Sequence, residues 1–116
     1  MAIIQDASPQ ALPPGKPFPP GTKFTARSQV HASGNAETVR VRYALAADNN
    51  LAFAGNGKEL IVPGVLIRPE ATVVDQDLTL ERLSSGTPVK NPRITIQFLP
   101  AQGSVALLTT TLRILV

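Results

Sequence analysis

The sequence lacks several of the residues on which protein chemistry most often depends. Its 116 residues include no cysteine, no tryptophan and a single histidine, His31. The absence of cysteine excludes disulfides, thiolate nucleophiles and cysteine metal sites together. One histidine, with no nucleophile motif and no nearby ligand set, provides neither a catalytic triad nor a zinc site. We therefore expect no enzymatic activity, no catalytic residues, no bound metal and no cofactor.

Aromatic and charged residues are also scarce. Only 4% of the residues are aromatic and 16% are charged, while 43% are hydrophobic. A core with so few rings must be built mainly from Val, Leu, Ile and Ala, and the branched side chains among these pack well on strands. The net charge of +3 is mild, so it permits an acidic partner without requiring one.

Long apolar runs are missing as well. No stretch approaches the roughly 18 apolar residues that span a membrane, and the first ten residues, MAIIQDASPQ, do not have the pattern of a signal peptide. Membrane insertion is not expected. The compartment stays open, with the extracellular surface or a virion expected if the chain is a fragment of a surface protein or a component of a particle.

The feature that is present throughout is a two-residue alternation of apolar and polar side chains. Val39, Val41 and Tyr43 alternate with Thr38, Arg40 and Arg42, and residues 93–98 repeat the pattern. Such alternation is typical of half-buried strands. Together with frequent turn signals, it predicts an immunoglobulin-like antiparallel β-sandwich of seven or eight strands, with a barrel as the alternative. The predicted strands are 22–30, 37–46, 51–54, 58–62, 65–67, 72–83, 92–99 and 104–116.

Proline is concentrated near the N-terminus. Residues 8–21 hold six of the eleven prolines, which cannot donate to a ladder and restrict the residue before them. This predicts an extended proline-rich arm or linker over residues 1–20 and a single sandwich domain over residues 21–116. The arm lies on its own domain, docks on a neighbouring subunit with the help of Ile3 and Ile4, or serves as a PxxP ligand.

Several of these segments resemble the immunoglobulin-like bacterial domains called CARDB, which are related to fibronectin type III. Residues 24–35 look like that family's second strand and its V-x-N-x-G-N turn, with Ala32 in place of the usual asparagine. Residues 39–45 resemble the next strand, residues 83–86 the LxxG turn, and residues 102–105 the aGxY motif, with Val105 replacing tyrosine. The resemblance covers roughly residues 21–116, although residues 51–80 match no part of it. It implies a non-catalytic spacer or adhesion module.

The last predicted strand is apolar on both faces, which is typical of a strand covered by a partner. Its outer face carries Val105, Leu107 and Leu115, and the sequence closes on Val116. We expect these residues, with Ile3 and Ile4, to form a protein interface with a second copy of the chain or a neighbouring domain. Cover by the chain's own N-terminal arm is the alternative.

Charged residues give two further candidates. Lys23, Arg27, Arg40 and Arg42 form one basic patch if their two strands pair as a hairpin, and are split if the strands lie in opposite sheets. Nucleic acid is not an expected partner, because no aromatic residue faces outward beside them. Asp75 and Asp77 share a strand face, and we interpret them as solvated carboxylates that discourage edge pairing.

These observations favour a non-catalytic structural or adhesive module that works by protein–protein assembly, as a homo-oligomer or against a neighbouring domain. It would belong to a surface protein or to a particle such as a virion. The alternative is a carbohydrate- or polyanion-binding module, for which Tyr43 and Phe53 are the candidate sugar-stacking rings. A small-molecule substrate is not expected.

Overall fold

The computed structural model describes residues 3–5, 8–46 and 50–116, with residues 3–5 described by their backbone alone. The described residues form strands and no helix. The strands are β1 (Ile3–Gln5), β2 (Gln10–Leu12), β3 (Lys23–Ser33), β4 (Glu37–Leu45), β5 (Leu51–Phe53), β6 (Glu59–Ile67), β7 (Thr72–Arg82), β8 (Arg93–Pro100) and β9 (Leu108–Arg113).

The strands form two antiparallel sheets. In sheet I, β3 pairs with β1 and β2 at different points along its length and with β7, which in turn pairs with β5. Sheet II has the order β6-β4-β8-β9. The predicted all-β antiparallel sandwich is confirmed.

Alternate residues of the long strands build the core between the sheets. On β3, the inward face carries Phe24, Ala26, Ser28 and Val30, as the alternation predicts, and all four are buried. β4 and β8 contribute in the same way, and β7 is a strand throughout, as expected for residues 72–83. The inward residues of β4 and β8 are Val39, Val41, Tyr43, Leu45, Ile94, Ile96 and Phe98.

Three predicted strands, in two regions of the chain, differ markedly from those observed. Residues 58–62 and 65–67 belong to one strand, β6, because Pro63 and Gly64 form a bulge instead of ending it. The predicted final strand 104–116 is shortened to β9, Leu108–Arg113. Residues before Leu108 form bends, so the alternation of apolar residues there does not correspond to ladder pairing.

The proline-rich segment packs on the sandwich. β2 pairs with β3, and the Phe18 ring is only 4% exposed, stacked on Phe24 with 4.8 Å between the ring centroids. The Phe18 backbone N–H also donates to the Leu115 carbonyl at 2.6 Å. These contacts tie the segment to both sheets, and an extended arm is not confirmed.

Ser28 is the one polar residue in the core of the described chain, and its hydroxyl has no hydrogen-bond partner within that part. Burying an unsatisfied hydroxyl costs about 1–3 kcal/mol. We therefore expect Ser28→Ala to raise the free energy of unfolding by about 1 kcal/mol. Urea denaturation of both proteins measures the difference, and a less stable alanine variant would show that the hydroxyl has a partner in solution.

Candidate interface on an open strand edge

β6 forms an open edge of sheet II. It pairs with β4 on one side, and no strand of the described chain pairs with it on the other. Six of its nine residues are large and apolar, and Ile61 and Leu66 are 39% and 44% exposed on the outer face. A long, apolar, unpaired edge is a template for pairing with another strand, so soluble proteins usually shield such edges.

A β-bulge divides this edge into two halves. Val62 pairs with Val41 and Val65 pairs with Val39. Pro63 and Gly64 together therefore oppose one residue of β4, the one between Val39 and Val41. Gly64 has φ of +71°, a conformation that glycine adopts without strain. The bulge keeps the core-facing side chains of both halves, Val62 and Val65, on the same face.

The bulge also decides which backbone groups face the open edge. The Leu45 N–H donates to the Lys58 carbonyl, so Lys58 and every second residue up to Val62 direct their backbone groups toward β4. The backbone groups of Ile61 therefore point to the open edge. The extra residue in the bulge shifts this alternation by one, so beyond the bulge the backbone groups of Leu66 point to the open edge.

A groove lies between β6 of sheet II and β7 of sheet I. Its volume is about 220 Å³, which is below the roughly 300–1,000 Å³ of small-molecule pockets. Val62, Val65, Leu66 and Val73 form the apolar part of its lining, and Thr72, Asp75 and Gln76 form the polar part. The groove is therefore suited to side chains of a neighbouring strand.

Tyr43 also lines this groove, although its ring is buried. Its hydroxyl has no hydrogen-bond partner among the described residues. Burial, followed by the negative charge of Asp75, raises the pKa of Tyr43 to about 12. The phenol is therefore held in its neutral form far above neutral pH.

Comparisons with protein-family models, with curated proteins and with solved structures gave no match. The resemblance to CARDB and fibronectin type III-like domains therefore stays a prediction. Among the described residues there is no helix that is long and apolar enough to cross a membrane. Within the same residues, no group of three or more His, Cys, Asp or Glu side chains is placed to hold a metal ion.

The four residues of the predicted basic patch lie in different sheets. Lys23 and Arg27 are on β3 in sheet I, whereas Arg40 and Arg42 are on β4 in sheet II. Arg40 donates to the backbone carbonyls of Pro100, at 3.1 Å, and of Gly103. The structure thus does not bring the four residues together. Of the two predicted alternatives, the observed one is the patch divided between opposite sheets.

The other three cations of that predicted patch have carboxylate partners. Arg27 binds Asp75 through Nε and Nη2 at 2.8 and 2.9 Å, and Lys23 lies 3.3 Å from Asp77. The Arg27 hydrogen bonds lower the pKa of Asp75, and the Thr25 hydroxyl, followed by Lys23, lowers that of Asp77. Both carboxylates therefore form cross-strand pairs on the face of sheet I. Arg42 binds Glu59 at 2.6 Å.

The residues of the predicted apolar interface are dispersed. Val105 is 80% exposed in the bends before β9, whereas Leu115 is 57% exposed beyond the opposite end of β9. Leu107 and Val116 are half-buried against the core. Ile3 and Ile4 belong to β1, which pairs with β3, and their side chains lie outside the described residues.

Sequence reasoning did not identify Ile61 and Leu66 as interface residues. The signal was present, because the apolar run Leu60–Val62 is followed by a second apolar run after Pro63 and Gly64. Reading proline and glycine as the end of a strand concealed it. Proline on an edge strand is compatible with continuous pairing, since its missing N–H faces solvent.

Proposed function

We propose that this chain is a non-catalytic structural module that assembles by pairing its β6 edge with the β6 edge of a second copy. The observation that carries the proposal is the unpaired apolar β6 edge with its central bulge. A surface protein or a particle such as a virion is the setting we propose, since both are built by repeated contacts between β-domains.

The sequence of β6 and its flanking residue is self-complementary. A two-fold axis at the Pro63–Gly64 bond places Val62 opposite the partner's Val65 and Ile61 opposite the partner's Leu66. Glu59 then lies opposite the partner's Arg68, so each end of the paired segment joins opposite charges. A contact of this kind uses the same surface on both copies, as two-fold dimers do.

The backbone supports the same register. Ile61 and Leu66 both direct their backbone groups to the open edge, which is what a hydrogen-bonded antiparallel pair requires. Without the bulge, the backbone groups of Leu66 would point to β4 when those of Ile61 point to the open edge. A regular strand without a bulge can match only one half of β6, whereas a second copy matches both halves. The bulge thus selects the partner.

The side chains at the edge have exposed apolar surface and a carboxylate oxygen with which a second copy could interact. Ile61 and Leu66 would become buried against each other across the axis, which removes apolar surface from water. Glu59 accepts from Arg42 through Oε2, and no hydrogen bond to its other carboxylate oxygen is found in the described chain. The Arg68 backbone is bonded within its own chain, to Ala32 and Thr72, so only its side chain joins the contact.

Cysteine cross-linking tests the register directly, because the native chain has no cysteine. Residues in a hydrogen-bonded antiparallel pair have Cα atoms about 5.5 Å apart, within disulfide range. We expect the double variant Ile61→Cys/Leu66→Cys to form a covalent dimer on mild oxidation. Within one chain the two positions are about 16 Å apart, too far for an internal bridge.

Single variants and a matched pair provide the controls. Ile61→Cys or Leu66→Cys alone should give no dimer beyond the background, since each cysteine faces a partner leucine or isoleucine. Leu83→Cys/Val105→Cys replaces two exposed apolar residues outside β6 and its groove and should behave like the single variants. Equal cross-linking in all of them, or a native chain that sediments as a monomer at every concentration, would overturn the proposal.

Carbohydrate binding through aromatic stacking receives no support from the described surface. Tyr43 and Phe53, the two candidate rings, are both buried, and so are Phe18, Phe24 and Phe98. A sugar-stacking platform needs an exposed ring face.

A further inference from the structure

Lys23, Arg27 and Arg42 each have a carboxylate partner on the faces of the sandwich, whereas two arginines that lie opposite each other do not. Arg93, the first residue of β8, lies directly opposite Arg113, the last residue of β9. Directly opposite residues share a sheet face, and both are exposed. Neither side chain has a hydrogen bond or an ion pair within the described part of the chain.

This arrangement is unfavourable for the isolated protein. Like charges directly opposite on neighbouring strands repel each other and destabilise the sheet. On sheet I the equivalent position opposite Arg27 is filled by Asp75, which shows the usual solution. A bound anion would relieve the repulsion between Arg93 and Arg113 in the same way.

The two arginines also line concave surfaces. A cleft of about 280 Å³ is lined by residues 91–93 of one chain segment and residues 113–115 of the other. Arg113 lines a second cleft, of about 360 Å³, together with Lys16 and Thr111. Thr111 pairs with Thr95 two residues along the same strands, so two hydroxyl-bearing residues share this sheet face with the two arginines.

We propose that Arg93 and Arg113 form a binding site for an oxyanion, a sulfate or phosphate group, and that Lys16 extends it toward a polyanionic ligand. Guanidinium groups donate paired hydrogen bonds that match the oxygens of such anions. The site lies at the β9 edge of sheet II, three strands away from β6, so it does not depend on the proposed assembly.

Calorimetric titration of the full chain at low salt tests this site. Heparin supplies sulfate groups and inorganic polyphosphate supplies phosphate groups. We expect the native chain to bind at least one of them, and Arg93→Gln/Arg113→Gln to bind about tenfold more weakly or worse, since hydrogen bonds to charged groups are lost. Binding of heparin alone identifies sulfate as the ligand group, and binding of polyphosphate alone identifies phosphate.

The control variant Lys23→Gln/Arg82→Gln removes the same net charge from sheet I, away from the arginine pair. It should retain most of the affinity. Thermal unfolding without ligand should show Arg93→Gln/Arg113→Gln to be at least as stable as the native chain, because the repulsion is gone. No binding of either polyanion, or an equal loss in both double variants, would overturn the proposal.

Discussion

Replacing Phe18 with alanine is expected to lower the free energy of unfolding by about 3–5 kcal/mol, the usual cost of deleting a buried phenylalanine. The ring is 4% exposed and stacks on Phe24, so its removal leaves a cavity in the core. It also weakens the connection of the proline-rich segment to the sandwich. Guanidinium denaturation of the full chain measures the loss.

Lys16→Ala is the matched control for this variant. Lys16 lies in the same segment and is exposed, so its replacement should change the free energy of unfolding by no more than about 0.5 kcal/mol. If Phe18→Ala were as mild as Lys16→Ala, the segment would be a detachable arm in solution. Loss of the whole fold in Phe18→Ala would instead show that residues 8–20 are part of the domain.

Alkaline pH is expected to destabilise the protein through Tyr43. Its pKa is about 12 in the folded state and about 10 in an unfolded chain. The unfolded state therefore loses this proton first, so the stabilisation is complete below pH 10 and is lost as the pH rises to 12. Two pKa units correspond to about 2–3 kcal/mol.

Two measurements check this expectation. Tyr43 is the only tyrosine, so the ultraviolet absorbance of tyrosinate reports its ionisation without interference from another tyrosine. Tyr43→Phe should unfold at similar denaturant concentrations across the same pH range, apart from changes due to lysines. A phenol that ionises near pH 10 in the folded protein, or an identical pH dependence in Tyr43→Phe, would contradict the prediction.

The long strands could be predicted from the sequence because each packs one face against the core and leaves the other toward solvent. The residues of β3, β4 and β8 alternate over six or more positions, and the structure buries their inward sets. The burial of Tyr43 follows from the same parity. Local pattern is sufficient here, since a shift of one residue would expose the whole apolar face.

Local pattern was misleading where the backbone departs from regular geometry. Pro63 and Gly64 are typical of a turn, yet they form a bulge within β6 because β4 continues alongside them. Val105 and Leu107 alternate as strand residues do, yet residues 104–107 make bends before β9. In both cases the presence or absence of a neighbouring strand decides the outcome, and that neighbour is distant in sequence.

The candidate sites depend on pairings between distant residues. Arg93 and Arg113 are twenty residues apart and meet only because of the register between β8 and β9. Lys23 and Arg27 are separated from Arg40 and Arg42 because β3 and β4 lie in different sheets. Neither relation is encoded in the alternation of a single strand, so no inspection of one segment could supply it.

The two edges of sheet II differ in a way that limits assembly through that sheet. Beyond β9, the Leu115 carbonyl is already bonded to Phe18, and the proline-rich segment flanks that side. β6 is the edge of sheet II that this segment leaves open, and the proposed two-fold contact would use it in both copies. Pairing through β6 alone would therefore stop at a dimer with a sheet eight strands wide, whereas an open-ended filament needs two different edges that fit each other.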